Sequence, residues 1–109
     1  MQDITLLGID LAKDVFQLHG VNKHGKKVVG KKVSRTKLLE SIATLPACKI
    51  AMEACGSSNY WSRKFMSYGH EVVQISPQHV KPFVRGNKND KNDAQAIVIA
   101  ASQVDMQFL

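Results

Sequence analysis

Two short apolar runs, each closing abruptly on a carboxylate, narrow the folds open to this chain more than any other feature. They are Ile4-Thr-Leu-Leu-Gly-Ile-Asp10 and Ala47-Cys-Lys-Ile-Ala-Met-Glu53. Runs of this length are strands buried within a sheet, with the final residue emerging at the sheet's edge. Asp10 and Glu53 then stand at C-terminal strand ends, where binding sites of α/β sheets gather. Between the runs, Asp14–Gly20 reads as a second strand, and Asn22-Lys-His-Gly25 reverses the chain into a third, Lys26–Val33. Ser34 is an N-cap for a helix carrying Leu38, Leu39, Ile42 and Leu45, which Pro46 ends.

Beyond Glu53, Gly56 and Ser57 lead into a helix through Tyr60, Trp61, Phe65 and Met66, stopped by Gly69, and His70–Ile75 is a fifth strand. From Pro77 the chain turns basic and irregular. A last helix is predicted from near Asp90 or Asn92 to about Val104. The order is three strands, helix, strand, helix, strand, helix, with no internal repeat or long linker. This predicts one mixed α/β domain over residues 1–109.

A chain of 109 residues removes roughly two-thirds of its unfolded surface from water, enough to form a real core. No window approaches the ~18 apolar residues of a membrane-spanning helix, and the start lacks a signal-peptide pattern, so a cytoplasmic location is expected. The two cysteines, Cys48 and Cys55, lack zinc-ligand spacing and read as buried thiols. The four histidines are scattered, which argues against a histidine-based metal site. A net charge of +6 favours polyanions, with nucleic acid the commonest candidate.

Magnesium or manganese takes hard oxygen ligands, and a pair of such ions can activate the attacking oxygen and stabilise the leaving one in phosphodiester cleavage. Such a site needs carboxylates from separate elements. Asp10 and Glu53 are neighbours if their strands are adjacent, and Asp90 and Asp93, three apart, share one face of a helical turn. Each acid alone has a plainer reading as a solvated strand end or, for Asp90 and Asp93, a helix N-cap. Five further acids, Asp3, Asp14, Glu40, Glu71 and Asp105, carry no assigned chemistry. Only order, strand-end placement and spacing together raise the four above that background.

Among the cations, Lys13 lies three residues past Asp10 and either faces a phosphate or is a solvated surface lysine. Lys81, Arg85, Lys88 and Lys91 form a basic stretch that either tracks a nucleic-acid backbone or faces solvent. Tyr60 and Trp61 could stack on bases, but their helical spacing with Phe65 reads as core.

The segments Gly8-Ile-Asp-Leu-Ala-Lys13, Ala51-Met-Glu-Ala-Cys-Gly56, Ile75-Ser-Pro-Gln-His-Val-Lys-Pro-Phe-Val84 and Gly86-Asn-Lys-Asn-Asp-Lys-Asn-Asp-Ala94 resemble the N-terminal domain of the DEDD insertion-sequence transposases, a group that includes the Piv DNA invertases. The resemblance spans essentially the whole chain, and the residues matching the family's DEDD set are Asp10, Glu53, Asp90 and Asp93. It implies an RNase H-like (RuvC-like) fold, a mixed five-stranded sheet flanked by helices. It also implies Mg2+ or Mn2+ dependence and DNA strand cleavage and joining in a bacterial, nucleoid-associated setting. The family's members are much longer, with a C-terminal domain that supplies a proposed serine nucleophile. Ser57, Ser58 and Ser102 do not match that motif, so the chain reads as an excised domain or truncated product, inactive in strand exchange by itself. The family further implies a structured guide RNA and a homo-oligomeric full-length protein as possible partners.

Three other readings stand beside this one. The opening Gly-Ile-Asp also occurs in actin-like sugar kinases and ATPases, which predict a longer chain with a Gly-rich adenosine-binding segment. A non-catalytic fragment for nucleic-acid binding or oligomerisation is the second. A RuvC-like nuclease hydrolysing phosphodiesters is the third.

Overall fold

The computed structural model describes residues 3–87 and 89–109. Five strands form one sheet: β1 (Leu6–Asp10), β2 (Val15–Val21), β3 (Lys27–Ser34), β4 (Lys49–Glu53) and β5 (Glu71–Ile75), in the spatial order β3-β2-β1-β4-β5. The first three are an antiparallel meander, and β1, β4 and β5 run parallel. Helices α1 (Arg35–Thr44) and α2 (Ser58–Ser67) supply the crossovers between the parallel strands. After β5 come a short α3 (Pro77–Val80), a 3-10 turn over Lys81–Phe83 and the last helix, α4 (Asp90–Ala101).

Strand alternation assigns the two faces of the sheet. Leu7 and Ile9 of β1, Phe16 and Leu18 of β2, and Ile50 and Met52 of β4 form one core with Leu38 and Ile42 of α1 and Trp61 and Phe65 of α2. Trp61 anchors that layer, meeting Phe16 edge-on at 5.3 Å and stacking on Phe65 at 5.6 Å, contacts worth roughly 0.5–1.5 kcal/mol each beyond burial. On the opposite face, Ala51 and Ile75 pack with Ala96, Ile97 and Ala100 of α4. Gly8 belongs to this face: a Cβ there would lie 2.6 Å from Val98 Cγ2 and 2.8 Å from the Ala94 carbonyl oxygen. The absent side chain lets α4 lie directly against β1.

Local signals explain the element boundaries. The Ser34 hydroxyl accepts a hydrogen bond from the Lys37 backbone N–H and caps α1. Gly69, with φ of 94°, turns the chain out of α2. The stretch after Pro77 is more ordered than its composition suggests. Proline at the first helical position has its φ preset and lacks only an N–H that would have had no helical partner. The last helix stops at Ala101 rather than near Val104, and the Ser102 hydroxyl donates to the Val98 carbonyl at 2.8 Å at that end. Among the described residues, no helix is long and apolar enough to cross a membrane.

Candidate metal centre

Because β1 and β4 are adjacent and parallel, their C-terminal ends lie at the same edge. Ile9 pairs with Met52, so Asp10 and Glu53 each follow by one residue on the face covered by α4. The other two acids come from the first turn of α4. Asn89 caps that helix by accepting from the Asn92 N–H at 2.9 Å, which fixes Asp90 and Asp93 at the helix start, where negative charge is favoured. Carboxylate oxygens of Asp10, Asp90 and Asp93 all lie within 4.8 Å of one another. Glu53 stands outside this tight trio. It shares with Asp10 and Asp93 a cavity of about 430 Å³, to which Pro77, Gln78 and Lys81 also contribute.

The electrostatics follow from that crowding. The Asp10 carboxyl is pushed up from 3.8 to about 7, first by burial and then by the charges of Asp93, Asp90 and Glu53; a hydrogen bond to Asp90 favours its protonated form. Three or four carboxylates converging with only all-oxygen donors fit a hard divalent cation, which would relieve their repulsion. Residues Asp10, Asp90, Asp93 and Glu53 are the ones that could hold it.

Among the described residues, no histidine or cysteine joins this group of carboxylates. His70 accepts from the Cys48 N–H at 3.2 Å and donates to the Ile42 carbonyl at 2.9 Å, pinning β4 and α1 together. His19 is buried, and burial followed by the charge of Lys27 lowers its pKa. The reading of both cysteines as buried is corrected. Cys48 is half-buried, with its thiol pushed up to about 11 by burial, whereas Cys55 is exposed in the loop beyond the end of β4.

The structure separates the cations that the sequence grouped. Lys81 lines the cavity of the acids, and Lys91 is exposed on the first turn of α4. Arg85 lies instead in a depression with His19, Lys27 and Gln95. Lys13 lines a third depression with Arg35, Ser57 and Tyr60. Lys88 falls outside the described residues. The aromatic pair divides too: Trp61 is core at 1% exposure, but Tyr60 is 46% exposed, a correction to its reading as core. Lys32 was not apparent from sequence. It pairs with Gln17, which pairs with Asp10, so it shares their row across the sheet, and its ammonium lies 4.0 Å from Asp90. Only the register of β3 reveals it.

Comparison with known proteins places this chain in a family. The sequence profile of the IS110-type DEDD family, described as transposase, matches residues 7–109. The chain is 50% identical over 109 residues to the transposase for insertion sequence element IS1111A of Coxiella burnetii, covering 100% of this chain and 30% of that protein. It is 45% identical over 109 residues to the transposase for insertion sequence element IS1328 of Yersinia enterocolitica, covering 100% of this chain and 33% of that protein. The chain thus spans about a third of the length of the curated relatives it matches. Thermus thermophilus RuvC superimposes with a TM-score of 0.66 at 15% identity, over 95% of this chain and 99% of that one. RuvC from the same source in complex with a Holliday junction substrate superimposes with a TM-score of 0.65 at 15% identity, over 95% and 98%. At that identity the likeness establishes the RNase H-like, RuvC-like fold. The chain belongs to the IS110-type DEDD transposase family.

Proposed function

We propose that this domain is the metal-dependent catalytic part of an insertion-sequence transposase that cleaves and joins DNA strands, with Asp10, Glu53, Asp90 and Asp93 as its metal ligands. The observation that supports this most is the approach of Asp10, Asp90 and Asp93 to within 4.8 Å, at the end of two parallel strands, in a chain of this family. Bound Mg2+ or Mn2+ would supply charge neutralisation at the attacking and leaving oxygens of a phosphodiester. The protein's own part is to gather the carboxylates, give up the Asp10 proton as the cation enters, and offer Lys81 to a phosphate beside them. Lys13, Arg85, Lys88 and Lys91 would extend phosphate contacts away from that point.

The family's proposed serine nucleophile belongs to a C-terminal domain outside these 109 residues. The isolated chain should therefore bind DNA yet fail to exchange strands. Adding the C-terminal domain should restore exchange, and Glu53→Gln or Asp93→Asn should abolish it. Robust exchange by residues 1–109 alone would refute this division of labour. The fold shared with RuvC favours one second reading, hydrolysis by a metal-activated water, for which magnesium-dependent nicking by the chain alone is the signature. A structured guide RNA, a homo-oligomeric full-length protein and a nucleoid location complete the proposal on family grounds.

A further inference from the structure

The depression around Lys13 lies on the other side of the same sheet edge. Leu11, Ala12 and Lys13 follow Asp10 directly and form one wall; Arg35, Ser57 and Tyr60 are among the residues that form the rest, around a volume of about 370 Å³. Three residues of chain span at most ~11 Å, so a strand with a phosphate at the acids reaches this depression within a nucleotide or two.

Its chemistry is cationic and aromatic. Arg35 is held in place by stacking, its guanidinium carbon 4.8 Å from the Trp61 ring centre and 5.9 Å from that of Tyr60. No carboxylate among the described residues lies within ion-pair distance of Arg35 or Lys13, so both charges are available to an anion. The N-terminus of α2 opens here as well. Its N-cap, Ser57, makes no side-chain capping bond and the first turn carries no acid, so beyond the Ser58 N–H, which donates to the Cys55 carbonyl at 3.2 Å, no side chain among the described residues offsets the positive end of the helix dipole. Tyr60, meeting Trp61 edge-on at 5.1 Å, is half-exposed on a rigid base. Cations that can hold a phosphate, beside an aromatic ring that can receive a base, are the features of single-strand nucleic-acid binding.

We propose that this depression is a subsite for one nucleotide of a single DNA strand, with its phosphate on Arg35, Lys13 and the α2 N-terminus and its base against Tyr60. It rests on the reading of the acid cluster as a DNA-processing site, and it adds where the strand goes on leaving that cluster. DNA is favoured over RNA because the subsite lies along the path of the strand that the acids would process.

The test is binding of a short fluorescein-labelled single-stranded oligodeoxythymidine to the 109-residue chain in chelator, followed by anisotropy and by emission of Trp61, the single tryptophan. Tyr60→Leu should weaken binding about five-fold or more, while Tyr60→Phe, which keeps the ring, stays within about two-fold of wild type. Arg35→Gln should weaken binding and flatten the logarithmic salt slope by up to about 0.7. Binding should change Trp61 emission in the wild type. Wild-type affinity in both Arg35→Gln and Tyr60→Leu, each melting as the parent does, would overturn the subsite. Tighter binding of oligouridine with the same dependence on Arg35 and Tyr60 would overturn its assignment to DNA. The metal reading is tested apart, by the magnesium response of Asp10→Asn without any oligonucleotide, so failure of one is distinguishable from failure of the other.

Discussion

Asp10 concentrates the site's electrostatic cost in one titration. Its folded pKa of about 7 lies above its ordinary 3.8, so the metal-free fold holds this proton more tightly than the unfolded chain does. Stability from this group is full below about pH 4, declines as pH rises toward 7, and is flat above it. Asp10→Asn should remove that slope and melt higher than wild type in chelator at pH 8; a variant less stable there would contradict the repulsion argument. That these four acids come together at one end of the sheet was legible in sequence, because two end apolar runs and two sit three residues apart. That Asp10, Asp90 and Asp93 close into a trio without Glu53 was not legible, since it depends on the depth at which α4 meets the sheet. Tyr60 and Trp61 show the same limit. Adjacent residues on a helix point about 100° apart, and the buried stripe of α2 runs through Ser58, Trp61, Ser62 and Phe65, which leaves Tyr60 at its margin.

At the scale of elements, the site is an alignment between β1, β4 and the start of α4. Gly8 sets the closeness of that alignment, because the atoms a Cβ would meet include the Ala94 backbone carbonyl, which cannot rotate away. Gly8→Ala should destabilise the domain by about 1–3 kcal/mol and, by lifting α4 from β1, weaken its stabilisation by magnesium. Thermal melts with and without magnesium check both effects. An Ala variant with parental stability and an unchanged magnesium response would show that α4 has room to shift without disturbing the acids. All five strands and three longer helices could be read from apolar runs, turn residues and caps. The short helix at Pro77 could not, because a single turn carries too little apolar periodicity to stand out from its basic surroundings. The early end of α4 was hidden for a different reason: no glycine or proline follows Ala101 to mark a stop.

Over the whole molecule, a net charge of +6 surrounds a cluster of carboxylates gathered at one end of the sheet. That arrangement pairs general attraction for polyanions with a local need for cations. Binding of single-stranded DNA should therefore fall steeply with added salt, and a salt-independent affinity would contradict the assignment of the lysines. If magnesium binds with a millimolar dissociation constant, ~10 mM should stabilise the fold by about 1.4 kcal/mol through mass action. The grouping of acids around a divalent ion is the central claim, and paramagnetic broadening by substoichiometric Mn2+ in amide NMR spectra tests it most directly. Broadening should be centred on Asp10, Glu53, Asp90 and Asp93, and should be lost from that centre in Asp10→Asn/Asp93→Asn. Broadening centred elsewhere, or unchanged in the double variant, would contradict the account.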